Sequence, residues 1–177
     1  CEERNITVHR VPGDARLDEA ADRFATRAID WVVVNNYPFL IGQRFIEQFP
    51  GRIVNFHSSF LPYYRGLNQS LRILANLEDR GGVTLHFVAR GSDTGNIVGQ
   101  ESFPLPRNAD LAHYQACVAE GAARILRDAW PRLQEGATGT EQPANEQSHV
   151  VIDEPTSRVL RWLNLQRRRL RLPIKRI

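Results

Sequence analysis

The chain has 177 residues, of which 42% are hydrophobic and 24% charged, and its formal net charge is +3 at pH 7. This balance is typical of one globular domain and argues against wholesale disorder. No apolar run approaches the roughly 20 residues that a membrane-spanning helix needs, and no signal peptide opens the chain. Cys1 and Cys117 are too few for a disulfide framework, so we expect a cytoplasmic protein with no membrane partner.

Strand-like and helix-like patterns alternate along the chain. Short β-branched or continuously apolar runs predict strands, and apolar residues at helical spacing predict helices. In chain order the predicted elements are a strand over 5–11, a helix over 16–29, a strand over 31–35, a short helix through Phe45 and Ile46, a strand over 53–56, a helix over 71–77 with Asn68 as its N-cap, strands over 83–88 and 97–103, and a helix over 110–133. The run 31–35 is typical of a strand buried on both faces. This order predicts an α/β domain with a mostly parallel sheet and a late hairpin.

The C-terminal part differs in composition from the body. Residues 136–148 are polar and predict a linker, and residues 156–172 are basic. All 20 acidic residues lie at or before Glu154, so residues 1–156 carry a net charge of −5. Because binding to a nucleic-acid backbone needs many cationic contacts, we expect no nucleic-acid partner for the body. The basic tail is interpreted as a solvated amphipathic helix.

Polar residues stand at two places where ligands collect in such sheets. Asn55 and His57 end a predicted strand and lie on the same side of it, and Asp93 lies in the turn 91–95. His57 can exchange protons near neutral pH, Asn55 can donate to an oxyanion, and Asp93 could orient the imidazole. Together they suit acyl transfer to a nucleophile that must lose a proton. The alternative is that His57 is a structural histidine and Asp93 an ordinary turn residue.

Other chemistries lack their motifs. The turn reads G-S-D-T-G, in which Ser92 stands one place too early for the G-x-S-x-G nucleophile elbow. The histidines and cysteines have no metal-ligand spacing, and no glycine-rich phosphate loop is present. We therefore expect no metal. His86 alternates with apolar neighbours and is interpreted as a core or near-site histidine.

Two segments carry a family resemblance. VNFHSSFLPYYRG, followed by GGVTLHFVARGSDTGNIVGQESFPL, resembles the folate-dependent formyltransferases, a family with glycinamide ribonucleotide, methionyl-tRNA and amino-sugar members. Its pattern is N-x-H-x-S-x-L-P, then G-V-T, then D-x-G, with the Asp 36 positions after the His. His57 and Asp93 have this separation, and the likeness extends over residues 5–133.

The resemblance implies a Rossmann-like fold, 10-formyltetrahydrofolate as formyl donor and a primary amine as acceptor. It implies that His57 is the general base and acid, that Asn55 stabilises the tetrahedral oxyanion, and that Asp93 holds His57 in its working state and helps to relay protons. It further implies that main-chain groups contact the pteridine. The residues in the matching segments are Phe39, Leu40, Ile41, Ala89, Arg90, Gly91 and Asp93.

The chain departs from the family pattern in two ways. Ser58 stands where the family often has Pro or Gly, and the family's usual strand, helix and strand before residue 5 are missing. The chain also begins at Cys1 and contains no Met. We therefore expect residues 1–136 to be an N-terminally incomplete catalytic domain, with a linker and basic tail over 137–177. A preceding segment or another chain would complete the sheet.

The acceptor is less well specified. Residues 137–177 are too few for the tRNA-binding domain of the methionyl-tRNA enzymes. Y-Y-R-G resembles the amino-sugar enzymes, whereas G-L-N-Q-S and T-L-H-F-V resemble the glycinamide ribonucleotide enzyme. We expect a small-molecule amine, with a nucleotide-linked amino sugar as one candidate. The alternatives are a glycinamide ribonucleotide formyltransferase, a formyltetrahydrofolate hydrolase and a catalytically inactive binding module.

Overall fold

The computed structural model describes residues 27–143 together with Leu17, Ala21 and Phe24. The predicted strand over 5–11 and the basic tail lie outside the described residues. Leu17, Ala21 and Phe24 are helical, but residues 27–31 are not, so the predicted helix ends before its expected limit at residue 29. The further elements are β1 (Val32–Asn35), α1 (Gln43–Gln48), β2 (Ile53–His57), α2 (Gln69–Ala75), β3 (Arg80–Phe87), β4 (Ile97–Pro104) and α3 (Leu111–Gln134).

The described strands form one sheet in the order β1-β2-β3-β4. β1 and β2 are parallel, with Val33 opposite Val54, whereas β2–β3 and β3–β4 are antiparallel. The α/β class with flanking helices is confirmed, as is the late hairpin formed by β3 and β4. The described part of the sheet is nevertheless mixed, because one of its three strand pairs is parallel.

The loop after β2 is hydrogen-bonded to β3. The Thr84 hydroxyl donates to the carbonyl of Ser59 at 2.7 Å and accepts from the amide of Leu61 at 3.0 Å. Thr84 itself lies opposite His57, the last residue of β2. The chain that leaves β2 is therefore held at the carboxyl end of that strand, and β3 starts from the same end.

The two faces of β2 have different partners. Val54 and Phe56 point to the face that α3 covers, where they pack with Leu85, Ile125 and other apolar side chains. Ile53 points to the opposite face and packs with Val34, Phe45 and the helical residues near the N-terminus. Because side chains alternate along a strand, Asn55 and His57 share the face of Ile53. The polar end of β2 therefore lies on the face opposite α3.

β1 is less buried than the apolar run predicted. Val34 is buried, but Val33 is 42% exposed. The expectation of burial on both faces is wrong within the described residues, because α3 packs on β2, β3 and β4 and does not reach over Val33.

The two helix starts near the candidate site differ. Asp110 caps α3, because its carboxylate accepts a 2.8 Å hydrogen bond from the amide of His113. Asn68 precedes α2 as predicted, but its φ of 58° is left-handed and its side chain makes no cap. Among the described residues, no helix has the length and apolar character that crossing a bilayer demands.

Candidate active site

Four polar side chains meet at the carboxyl end of β2. His57 Nδ1 lies 3.4 Å from Asp93 Oδ2, and Asn55 Nδ2 lies 3.1 Å from His86 Nε2. His86 Nε2 in turn lies 3.5 Å from Asp93 Oδ1. The structure therefore brings together the three residues predicted from the sequence, and it adds His86 from the neighbouring strand β3.

The hydrogen bond of His57 to Tyr64 defines its tautomer. His57 Nε2 lies 2.9 Å from the carbonyl oxygen of Tyr64. A carbonyl only accepts, so Nε2 carries a hydrogen and donates it. In the neutral ring Nδ1 is then unprotonated, and it is the nitrogen that faces Asp93. His57 can therefore take up a proton at Nδ1, beside a carboxylate.

His86 has the opposite tautomer. Its Nδ1 lies 2.8 Å from the carbonyl oxygen of Phe87, so Nδ1 carries the hydrogen in the neutral ring. Nε2 then accepts from the side-chain amide of Asn55. This contact turns the NH₂ group of Asn55 towards the site, because an amide oxygen at the same place would face another acceptor. The NH₂ group of Asn55 is therefore the end of its amide that faces His86.

Asp93 is held by its own turn and by the loop after β2. Its Oδ2 accepts from the amide of Gly66 at 2.9 Å and from the hydroxyl of Ser92 at 3.2 Å. Burial alone would raise the pKa of Asp93, but its electrostatic interactions with His86 and His57 and the hydrogen bond from the Gly66 amide together lower it to about 2. The carboxylate is therefore ionised at neutral pH.

The pKa of His57 is shifted in the direction that suits a base. Burial lowers the pKa of His57 below its ordinary value of 6.5, and electrostatic interactions with His86 and Arg72 lower it further. Asp93 and the Tyr64 carbonyl act in the opposite direction and limit this shift. The ring is consequently neutral near pH 7, with Nδ1 free of a proton.

Tyr64 has a conformation that few non-glycine residues adopt. Its φ of 59° is left-handed, and it directs the backbone carbonyl at His57. The phenol stabilises this arrangement, since it donates to Glu78 Oε1 at 2.5 Å and accepts from Asn76 Nδ2 at 2.9 Å. The guanidinium of Arg72 lies 5.3 Å from the ring centre. Backbone strain of this kind is concentrated at functional sites.

The two segments predicted to contact the pteridine are neighbours in the fold. Ile41, which follows β1, packs in the same apolar cluster as Val88, which follows β3. Arg90 Nε donates to Gln43 Oε1 at 2.8 Å and joins the same two regions. Leu40, which directly precedes Ile41, is 71% exposed. The segments that hold Phe39, Leu40, Ile41, Ala89, Arg90, Gly91 and Asp93 therefore lie next to each other, and the second of them carries Asp93.

A cavity of about 710 Å³ lies behind the turn that carries Asp93. Trp31, Arg52 and Trp130 line it, together with Thr94 and Gly95 from the turn. None of the four polar side chains of the site contributes to its lining. The cavity is therefore separate from the place where the reactive groups meet.

Sequence reasoning missed several residues that complete the site. The sequence predicts His86 only as a core or near-site histidine, because it alternates with apolar neighbours in VTLHFV. Tyr64 and Gly66 act through backbone groups, which leave no side-chain signal. Within the part of the chain that the structure describes, no group of three or more His, Cys, Asp or Glu side chains could hold a metal ion.

Comparison with known proteins gives one family. A family model with the description "Formyl transferase" matches residues 4–129. A methionyl-tRNA formyltransferase of Borrelia hermsii (strain HS1 / DAH) is 28% identical over 134 residues, which are 74% of this chain and 42% of that protein. A phosphoribosylglycinamide formyltransferase of Haemophilus influenzae is 35% identical over 108 residues, which are 61% of this chain and 51% of that protein. The chain thus spans about half the length of these relatives.

Solved structures of formyltransferases resemble this chain as well. One is the formyltransferase PseJ from Anoxybacillus kamchatkensis in complex with UDP-4,6-dideoxy-4-formamido-L-AltNAc and tetrahydrofolate. Its TM-score is 0.63 at 25% identity, with 74% of this chain and 69% of that chain covered. Another is glycinamide ribonucleotide transformylase 1 from Symbiobacterium toebii, with a TM-score of 0.64 at 26% identity and coverage of 71% and 61%.

Proposed function

The chain belongs to the formyl transferase family, and from this premise we propose that it transfers a formyl group from 10-formyltetrahydrofolate to the primary amine of a small molecule. The observation that carries the proposal is the pairing of His57 Nδ1 with Asp93 at the end of β2, beside the amide of Asn55. A neutral imidazole nitrogen, a carboxylate and an amide donor are the groups that acyl transfer to an amine requires.

His57 is the proposed base and acid. The amine nitrogen forms a bond to the formyl carbon, and the proton that it loses goes to His57 Nδ1. The resulting imidazolium lies beside the ionised Asp93, which stabilises it. His57 then returns the proton to the departing folate nitrogen as the old carbon–nitrogen bond breaks.

Asn55 is the proposed oxyanion donor. One hydrogen of its NH₂ group is bonded to His86, and the other can donate to the negative oxygen of the tetrahedral intermediate. The interaction with His86 holds the donor in place before the charge develops. A preorganised donor of this kind is worth about 10²–10³ in rate.

The formyl donor is proposed to bind between the segments after β1 and β3. The exposed Leu40 offers an apolar surface, and the turn residues Ala89, Arg90 and Gly91 are exposed and offer main-chain groups. A flat ring with polar edges needs both kinds of contact. The complex of PseJ with tetrahydrofolate supports a folate as donor in a protein of this fold.

A nucleotide-linked amino sugar is the proposed acceptor, supported by the sugar product in the PseJ complex. Glycinamide ribonucleotide is the second candidate, because the Haemophilus influenzae relative has the highest identity of the relatives described above, 35%. Both acceptors present a primary amine to the same base, so the groups at His57 do not distinguish them.

An assay with a panel of amines tests the proposal. The protein is incubated with 10-formyltetrahydrofolate and each amine, and the release of tetrahydrofolate is followed. We expect release that depends on one class of amine. Release without any amine would indicate a hydrolase. No release from the folded protein would contradict both formyl transfer and formyltetrahydrofolate hydrolysis.

His57→Asn gives the matching mutational test. The variant lacks the proposed base, so we expect kcat to fall about 10²–10⁴-fold while folate binding stays measurable. His113→Asn, the same change at an exposed position on α3, is the control and should retain full activity. Near wild-type activity of His57→Asn would show that the mechanism is wrong.

A further inference from the structure

We propose that Gln142 is a positioning residue, which keeps Asp93 against His57 by joining the turn after β3 to the loop after β2. The inference rests on the proposed function, because it concerns the same reaction. Gln142 lies after α3, in a stretch that the sequence predicts as a linker, and beyond the residues 4–129 that the family model matches. The residue is nevertheless buried, with 8% exposure.

The side-chain amide of Gln142 uses all of its hydrogen-bonding capacity. Nε2 donates to the carbonyl oxygens of Asp93 at 2.9 Å and of Gly95 at 2.7 Å. Oε1 accepts from the guanidinium of Arg65, from Nη2 at 2.5 Å and from Nε at 3.2 Å. Two carbonyl partners require the NH₂ group on one side and a cation requires the oxygen on the other, so the orientation of the amide is unambiguous.

These contacts reach both members of the proposed catalytic pair. Arg65 stands between Tyr64, whose carbonyl accepts from His57, and Gly66, whose amide donates to Asp93. On the other side, Gln142 bonds the backbone of Asp93 itself. One side chain therefore connects the two backbone segments whose separation decides the 3.4 Å distance between His57 Nδ1 and Asp93 Oδ2.

The backbone around Gln142 is attached to the sheet, which keeps the side chain in place. Thr140 and Ile97 exchange two backbone hydrogen bonds of 2.7 and 2.8 Å, and Asn96 Nδ2 donates to the carbonyl of Thr138 at 3.0 Å. Gly139 has a φ of +73°, and a Cβ there would lie 2.7 Å from the carbonyl oxygen of Ile97. This close approach brings residues 138–142 along the start of β4, beside the turn that carries Asp93.

The test measures the pKa of His57 by an NMR titration of its ring, in the 177-residue chain. The charged and titratable groups that act on His57 are Asp93, His86 and Arg72, and among them only Asp93 raises its pKa. If Gln142 keeps Asp93 in place, Gln142→Leu and Gln142→Met should both lower the pKa of His57. Asp93→Asn should lower it as well, and adding Gln142→Leu to Asp93→Asn should change it no further.

Kinetics supply the second readout. With the active amine, we expect Gln142→Leu to lower kcat by up to about 10²-fold with little change in KM, since a small misplacement of a reacting group has this effect. Gln115→Leu, the same substitution at an exposed position of α3, should leave both the pKa of His57 and kcat unchanged. A thermal unfolding curve for each variant checks that it is folded.

The outcomes separate this inference from the proposed function. The titration needs no turnover, so a wild-type protein without formyl transfer would contradict the proposed function while the pKa of His57 still tests Gln142. An unchanged pKa of His57 in folded Gln142→Leu and Gln142→Met overturns the inference. A lowered pKa with unchanged kcat in an active protein overturns it as well.

Discussion

At the scale of single residues, the two ring nitrogens of His57 have different partners, and this difference decides which of them can take a proton. Nε2 donates to the Tyr64 carbonyl, so the basic nitrogen is Nδ1, which faces Asp93. Burial lowers the pKa of His57 and so keeps this nitrogen unprotonated near neutral pH. The proposed base is therefore prepared by a backbone carbonyl and by exclusion from water, before any substrate binds.

Asn55→Ala tests the proposed oxyanion donor. Because the amide acts when negative charge develops, we expect kcat to fall about 10²–10³-fold with little change in folate affinity. Steady-state kinetics and an equilibrium binding measurement with tetrahydrofolate check this. Asn108→Ala, at an exposed turn position, is the control. Equal losses in folate affinity and in kcat would argue that Asn55 binds the donor instead.

At the scale of elements, the site depends on two loops at one end of β2. The loop after β2 brings the Tyr64 carbonyl and the Gly66 amide, and the turn between β3 and β4 brings Asp93. Both Tyr64 and Asp93 have a left-handed φ, 59° and 54°. The strands hold the backbone in place, and the two residues with a left-handed φ direct the Tyr64 carbonyl and the Asp93 carboxylate towards His57.

Gly95→Ala tests how closely that turn packs. A Cβ at Gly95 would lie 1.9 Å from the carbonyl oxygen of Phe87, so the turn must move and take Asp93 with it. We expect a loss of both activity and thermal stability. Gly51→Ala is the control, since its φ is +67° but no atom lies within 4 Å of a new Cβ. It should cost about 1 kcal/mol in stability and leave kcat unchanged, and equal behaviour of the two variants would refute this packing argument.

At the scale of the whole molecule, the site groups link folding to pH. The pKa of Asp93 is lower in the folded chain, about 2, than its ordinary value of 3.8. Its ionisation therefore stabilises the fold above about pH 4, and this contribution is lost as the pH falls towards 2. The lowered pKa of His57 acts in the same direction at higher pH, because below about 6.5 the unfolded chain gains a proton more readily than the folded chain.

Urea unfolding across the acid range tests this linkage. We expect the free energy of unfolding to fall as the pH drops from 7 to 3. Asp93→Asn should lose about 2 kcal/mol at pH 7 and show a flatter dependence between pH 4 and 2. Asp79→Asn, at an exposed position, should give a curve parallel to that of the wild type. Parallel curves for Asp93→Asn and the wild type would show that Asp93 is not stabilised in the fold.

Local patterns along the chain were sufficient for much of this architecture. The apolar runs predicted β1, β2, β3 and β4 to within a few residues, and the helical spacing predicted α3 with Asp110 at its start. Alternation placed Asn55 and His57 on one face, and the spacing to Asp93 indicated the family. Such features are readable because each depends on neighbouring residues, whose geometry a strand or helix repeats at a regular interval.

Contacts between distant residues had no such signal. The exposure of Val33 depends on which strands α3 covers, and the loop after β2 is held by hydrogen bonds to Thr84, a residue 25 positions further along the chain than Ser59. The tautomer of His57 depends on the Tyr64 carbonyl, a backbone group that any residue carries. Gln142 and Asp93 are 49 positions apart, and no periodicity predicts their hydrogen bond. Tertiary packing decided these features, because only the folded chain defines which backbone groups a buried polar side chain meets.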